Sequence, residues 1–242
     1  MTDLMSLREK AQVVSRVTIT RIELEKICFS YEADRPLLKD VSLRFETGGV
    51  SWLNGEAGSG QSTLLKILAM LVQPQSGSYW IDDIDLLQLS FEEFLPLRCR
   101  MSYSFDFGGL LANRTVRENL LLPISYHQLM DMNEAQELIN DWAKRFRFFH
   151  QLDERPAHVS GGLRKLVCVL RAILVRPQIL LMDDPFTGLD PKTRTEFLAL
   201  LTEERKRGAS TSVLFTSNDE DWARRLCTNE VWVGTRRSGV AV

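Results

Sequence analysis

Apolar and polar positions alternate along two runs near the start of the chain, Arg21-Ile-Glu-Leu-Glu-Lys-Ile-Cys-Phe-Ser-Tyr31 and Leu38-Lys-Asp-Val-Ser-Leu-Arg-Phe45. A period of two belongs to half-exposed strands, so these runs predict an antiparallel β-part. The pattern then changes. Val50-Ser-Trp-Leu53 is a short apolar run, as in a buried strand, and Ser62-Thr-Leu-Leu-Lys-Ile-Leu-Ala-Met-Leu71 carries apolar residues at helical spacing. Ser76-Gly77 predicts a turn, followed by strands at Ser78–Ile81 and Arg100–Phe105. Thr115–Leu122 and Asn133–Phe149 are helical in pattern, the second with Asn133 as N-cap and Glu134 and Glu137 in its first turn. After Gly162, helix and strand alternate three times, the order that builds a parallel sheet covered by helices. The expected fold is α/β, with one domain over residues 20–242, a helical subdomain at about 107–158 and a loose arm at 1–19.

Composition narrows the setting. A chain of 242 residues can bury a sizeable core, and 44% hydrophobic with 26% charged residues is the balance of a soluble globular protein. A net charge of −2 gives no global pull toward nucleic acid. Lys144, Arg145 and Arg147 crowd one helix end, where cations suit the dipole, so a solvated helix end is expected there and no nucleic-acid partner. No apolar run approaches a membrane span, and the N-terminus has no apolar signal region. Cys28, Cys99, Cys168 and Cys227 are scattered, which fits reduced thiols in a cytoplasmic protein. Membrane association then has to come through a partner.

Chemistry enters at Gly55-Glu-Ala-Gly58-Ser59-Gly60-Gln61-Ser62-Thr63. Apart from one position this is the phosphate-binding loop G-x-x-x-x-G-K-[ST], and it lies between a predicted strand and a predicted helix, as that loop must. Its glycines let backbone N–H groups turn toward phosphate oxygens, and the helix that follows presents its positive end. The missing residue is the lysine, replaced by Gln61.

Ile179-Leu-Leu-Met182 is an apolar run that ends in Asp183 and Asp184. It resembles the Walker B element, in which one acid serves a magnesium ion and the next orients the attacking water. Val159-Ser160-Gly161-Gly162-Leu163 lies about twenty residues earlier, with Ser160 placed to cap a helix running to about Val175. In this order the motifs resemble the nucleotide-binding domain of ATP-binding cassette (ABC) transporters over roughly residues 20–234. The resemblance implies a RecA-like P-loop NTPase fold and ATP with Mg²⁺ as cofactors. It also implies Tyr31 against the adenine, and Ser160, Gly161 and Gly162 on a nucleotide held by a second ABC subunit, in a homo- or heterodimer. Ser62, Asp106 and Asp183 are implied on the metal side, and an integral membrane permease as partner. Gly188-Leu189-Asp190 matches the D-loop, and Phe107–Pro123 is most similar to ABC subunits of bacterial lipid-trafficking transporters.

Four positions depart from the family pattern together. Gln61 replaces the lysine, Asp106 the Q-loop glutamine, Asp184 the catalytic glutamate and Ser217 the switch histidine. Losing a charge-assisted hydrogen bond costs roughly 1.5–3 kcal/mol, or about ten- to a hundredfold in affinity. A catalytic group misplaced by about 1 Å can cost on the order of 10²-fold in rate. The expectation is a nucleotide-binding subunit, peripheral at the inner face of the membrane, with weak ATP binding and impaired hydrolysis. A slow but working transport ATPase and a non-transport scaffold with the same fold are the alternatives.

Overall fold

The computed structural model describes residues 18–98, 100–106, 109–207 and 211–234. Most of the expected arm, together with Cys99, lies outside them.

Two sheets form. Strands β1 (Arg21–Phe29), β2 (Leu38–Glu46), β4 (Ser76–Ile81) and β5 (Ile84–Asp85) make an antiparallel sheet in the order β2-β1-β4-β5. Strands β3 (Val50–Asn54), β6 (Met101–Ser104), β7 (Ile179–Met182), β8 (Ser212–Phe215) and β9 (Asn229–Trp232) make a wholly parallel one in the order β6-β7-β8-β3-β9. The parallel strands show why their sequence runs are almost continuously apolar. Leu180 and Met182 face one core while Ile179 and Leu181 face the other, and Val213 and Phe215 oppose Leu214 in the same way. A strand covered on both faces has no polar side to alternate with.

The first core lies under helices α3 (Val116–His127), α4 (Met132–Arg145), α5 (Gly161–Leu174) and α6 (Pro191–Arg207). The second holds α1 (Gln61–Leu68), α2 (Phe91–Arg98) and the inner face of the antiparallel sheet. A short α7 (Glu220–Leu226) precedes β9.

Several boundaries differ from the sequence pattern. The N-cap of α4 is Asp131 rather than Asn133, its carboxylate accepting from the amides of Asn133 and Glu134. The same helix stops at Arg145, where Phe146 caps it and Arg147 takes a positive φ of 61°. Ser76 and Gly77 belong to β4, since Ser76 pairs with Cys28 across the sheet. Helix α1 ends at Leu68, two residues before Met70 turns left-handed (φ 53°). Helix α3 passes through Pro123 to His127, started by a capping box in which Thr115 and Glu118 bond each other's backbone. Among the described residues, Cys28, Cys168 and Cys227 are in no disulfide.

Candidate nucleotide site

The phosphate loop hangs between β3 and α1. At its start the Asn54 side chain accepts from the Gly55 amide (2.7 Å) and donates to Glu230 (2.7 Å), which fixes the exit from the strand. At its end Gly60 is the N-cap of α1 with φ 94°, and a Cβ there would lie 2.7 Å from Leu38, so both backbone angle and space require glycine. The first intrahelical bond is Leu64 N to Gly60 O, which leaves the amides of Gln61, Ser62 and Thr63 directed out of the helix end. Ser59 Oγ is buried in the loop with no partner among the described residues. Gln61 does not project from the loop. Its amide donates to Gly55 O at 2.8 Å and so ties the loop's two ends together. Tyr31 is 62% exposed, its ring edge-on to Phe29 and its hydroxyl 3.2 Å from Thr63 Oγ1.

Below the loop, Ser62 Oγ donates to Asp183 Oδ1 at 2.8 Å, across 121 residues of sequence. Thr216 donates to the same oxygen at 2.8 Å and Tyr103 to Oδ2 at 3.1 Å. Burial, reinforced by the Asp183 charge, pushes the Tyr103 hydroxyl far up, so it stays a donor. A hydroxyl and a buried carboxylate converge here, a hard-oxygen pair of the kind Mg²⁺ takes.

The neighbouring acid is held differently. Asp184 is 5% exposed and has φ 44°, a left-handed conformation that non-glycine residues seldom adopt. Its amide donates to Thr216 Oγ1 (3.0 Å), and its Oδ2 accepts from Thr187 (2.5 Å) and Asn218 (2.9 Å). Its Oδ1 is buried without a partner. Ser217 folds onto its own turn, where Oγ donates to Asp219 O (3.3 Å) and accepts from Asp219 N (3.1 Å). Asp106 pairs with Lys165, a half-buried carboxylate against a buried ammonium at 3.1 Å. Burial raises the Asp106 carboxyl above its usual range, with Lys165 opposing the shift.

At the other end of the chain's chemistry, Ser160 caps α5 by accepting from Leu163 N at 3.1 Å. Gly162 sits so close to Gly188 that a Cβ on it would be 2.3 Å from Gly188 O. A cavity of 220 Å³ opens beside them, lined among others by Phe148, Ser160, Gly162 and Asp190. Asp190 caps α6 through the amides of Lys192 and Thr193, and the Thr193 hydroxyl and these amides hold its carboxyl below the usual range.

Thus Gly55, Gly58, Ser59, Gly60, Gln61, Ser62, Thr63 and Asp183 come together, with Tyr31 at the edge, while Ser160 and Gly161 open a separate helix end. Sequence reasoning missed Tyr103, Lys165, Thr187, Thr216 and Asn218. Thr216, beside Ser217, carried the one usable signal, since a hydroxyl next to a switch position is within reach of the strand-end acids.

The family model described as ABC transporter matches residues 38–187. The chain belongs to the ABC transporter family. Among ABC relatives, methionine import ATP-binding protein MetN 1 of Pseudomonas fluorescens is 32% identical over 209 residues, 85% of this chain and 62% of that protein. MetN 1 of Bacillus thuringiensis is 34% identical over 190 residues, 78% of this chain and 56% of that protein. The chain therefore spans about six-tenths of the length of these relatives. The ABC fold is equally plain. A dimeric, post-hydrolysis structure of the ATP-binding cassette MJ0796 bound to ADP and Pi superposes with a TM-score of 0.78 at 26% identity, covering 88% of this chain and 94% of that one. A structure of an ATP-binding subunit of an ABC transporter gives 0.75 at 27% identity, over 88% and 86%. The named relatives are methionine import proteins, so the likeness of Phe107–Pro123 to the lipid-trafficking group gains no support from them.

Proposed function

We propose that this chain is the nucleotide-binding subunit of an ABC transporter, cytoplasmic at the inner face of the membrane, which binds Mg-ATP weakly and turns it over near background. One observation carries the reading. All four altered side chains, Gln61, Asp106, Asp184 and Ser217, hydrogen-bond within the chain, Asp184 through one of its two carboxylate oxygens. The binding elements support the other half, since the loop amides, the unpartnered Ser59 Oγ and the Ser62–Asp183 pair form a place for phosphate and metal. A bound Mg²⁺ would supply positive charge to the phosphates, and Ser62 and Asp183 would hold it. Titration calorimetry with Mg-ATP, followed by a single-turnover assay on the same sample, tests the reading. Binding at high micromolar to millimolar ATP with no turnover above background is expected. Absence of binding at millimolar nucleotide sinks it in favour of a scaffold.

A specific feature favours the working-ATPase alternative. Asp184 Oδ1 is buried and has no partner among the described residues, so one oxygen of that carboxylate is not committed within the chain. Robust hydrolysis abolished by Asp183→Asn would establish that alternative.

The partner side also has a surface. No helix among the described residues is long and apolar enough to cross a membrane. A groove of 370 Å³ between β6, α3 and α5 is lined by Tyr103, Leu122, Pro123, Tyr126 and Arg171 among others, with Tyr126 80% exposed on its rim. Nearby, Leu110 packs on the core while Leu111 is exposed. This is where the permease docks in our reading. Leu111→Glu should release the folded protein from permease-containing membranes, and unfolding of that variant would remove Leu111 from the interface.

A further inference from the structure

Lys165 lies one turn into α5, and its ammonium is almost fully enclosed, with a side chain 5% exposed. Four oxygens surround it: Asp183 O at 2.6 Å, Asp106 Oδ1 at 3.1 Å, Asp106 O at 3.2 Å and Phe105 O at 3.3 Å. An ammonium has three donors, and here all of them serve two segments that sequence keeps far apart, the stretch after β6 and the end of β7. The same helix reaches the continuation of that stretch one and a half turns later, where Arg171 donates to Gly109 O. Arg171 also touches Asn119 Oδ1 (3.5 Å), and Asn119 grips both backbone atoms of Leu111.

We propose that Lys165 is a resident cation that fixes Phe105 and Asp106 against β7 and α5 without nucleotide. By neutralising Asp106 it also takes that carboxylate out of the metal's ligand set, leaving Ser62 and Asp183. The second half rests on the nucleotide-binding reading given above, and the first does not. Charge placement favours the pairing. An enclosed ammonium needs a nearby anion and satisfied donors, and Asp106 with three carbonyls provides both. A dication close to that ammonium would meet like charge, so the metal is better served by the Ser62 side of Asp183, where Oδ1 and a hydroxyl converge. From the same helix Arg171 holds Gly109, and through Asn119 it reaches Leu111.

Hydrogen exchange on the nucleotide-free protein is the first test. Lys165→Met should speed exchange in peptides covering 103–111 at least tenfold and leave those covering 164–174 unchanged. Adding Asp106→Asn to that variant should add nothing, because the two groups act as a pair. Unaltered exchange at 103–111 overturns the proposal, and Lys165→Gln, which keeps a neutral donor and similar bulk, serves if the methionine variant does not fold. The second test titrates Mn²⁺ with ADP present, read by electron paramagnetic resonance. Asp106→Asn should leave Mn²⁺ affinity within twofold, whereas Asp183→Asn should weaken it tenfold or more. Equal losses overturn the ligand assignment. Failure of the parent protein to take up ADP and Mn²⁺ would sink the nucleotide-binding reading, while the exchange measurement still decides the role of Lys165.

Discussion

The site has two halves that treat their side chains in opposite ways. Around the phosphate loop, Ser62 and Asp183 face each other, the helix-end amides point outward and Ser59 keeps a buried hydroxyl without a partner. Around the hydrolytic positions, Asp106, Asp184 and Ser217 are engaged by Lys165, by Thr187 and Asn218, and by the Asp219 backbone. Beside the bonded Ser62–Asp183 pair the first half keeps outward helix-end amides and the unpartnered Ser59 hydroxyl, while in the second the side-chain oxygens are bonded within the chain except Asp184 Oδ1. A polar group already hydrogen-bonded in a buried place gains little from a ligand, because the new bond only replaces an old one. Catalysis depends on groups aimed in advance at developing charge. Replacing residues in the second half should therefore change rate, and replacing Gln61 should change binding.

The largest effect expected follows from undoing three of the changes together. Gln61→Lys, Asp184→Glu and Ser217→His in one protein should raise the single-turnover rate by about 10²-fold, the cost of misplaced catalytic groups. A partner signature has to complete the site for this to be seen. No increase, with ATP bound and the dimer formed, would mean that the backbone around Asp184 has itself lost the geometry. Next in size is Gln61→Lys alone. It places a cation beside the phosphates and should tighten Mg-ATP by about ten- to a hundredfold in calorimetry, with turnover still near background. An equal gain in rate would erase the distinction between the halves.

The smallest effect is a pair of opposite titrations. Asp190, in an unaltered motif, is held low by the Thr193 hydroxyl and the α6 amides, whereas Asp106 is raised by burial. A lowered carboxyl contributes stability above its unfolded value, near 3.9, that is lost as pH falls through the folded one. A raised carboxyl contributes in the other direction, fully below the unfolded value and lost as pH rises through the folded one. Carbon-detected NMR titration should find Asp190 below and Asp106 above the usual aspartate range. Lys165→Met should move Asp106 higher still, since Lys165 holds it down. Identical titration of both would deny their difference.

Most of the fold and the first half of the site were legible because their signals are local. Alternation marked β1 and β2, continuous apolar runs marked β3 and β7, and the loop motif fell between strand and helix as it must. The second half was legible only as a set of departures. Nothing within a few residues of Asp106 announces Lys165, which lies 59 positions away on a helix whose sequence reads as ordinary amphipathic surface and core. The N-cap error at α4 has a similar root. Asp131 and Asn133 are both good caps by type, and the backbone conformation decides between them.

Gly162 is held by space rather than by chemistry. A methyl group there would have to occupy the space of the Gly188 carbonyl oxygen, whatever the protein does with nucleotide. Such a position is closed to drift by sterics alone. A descendant that had given up every chemical task of its ancestors would still carry glycine at 162 for as long as it kept the fold. Its presence therefore records the packing of α5 against the turn before α6, and cannot be counted as testimony that the signature still meets a phosphate. Ser160 is accounted for by its cap on Leu163, so Gly161, where a Cβ would meet only the end of Arg164, is the residue whose retention bears on that question.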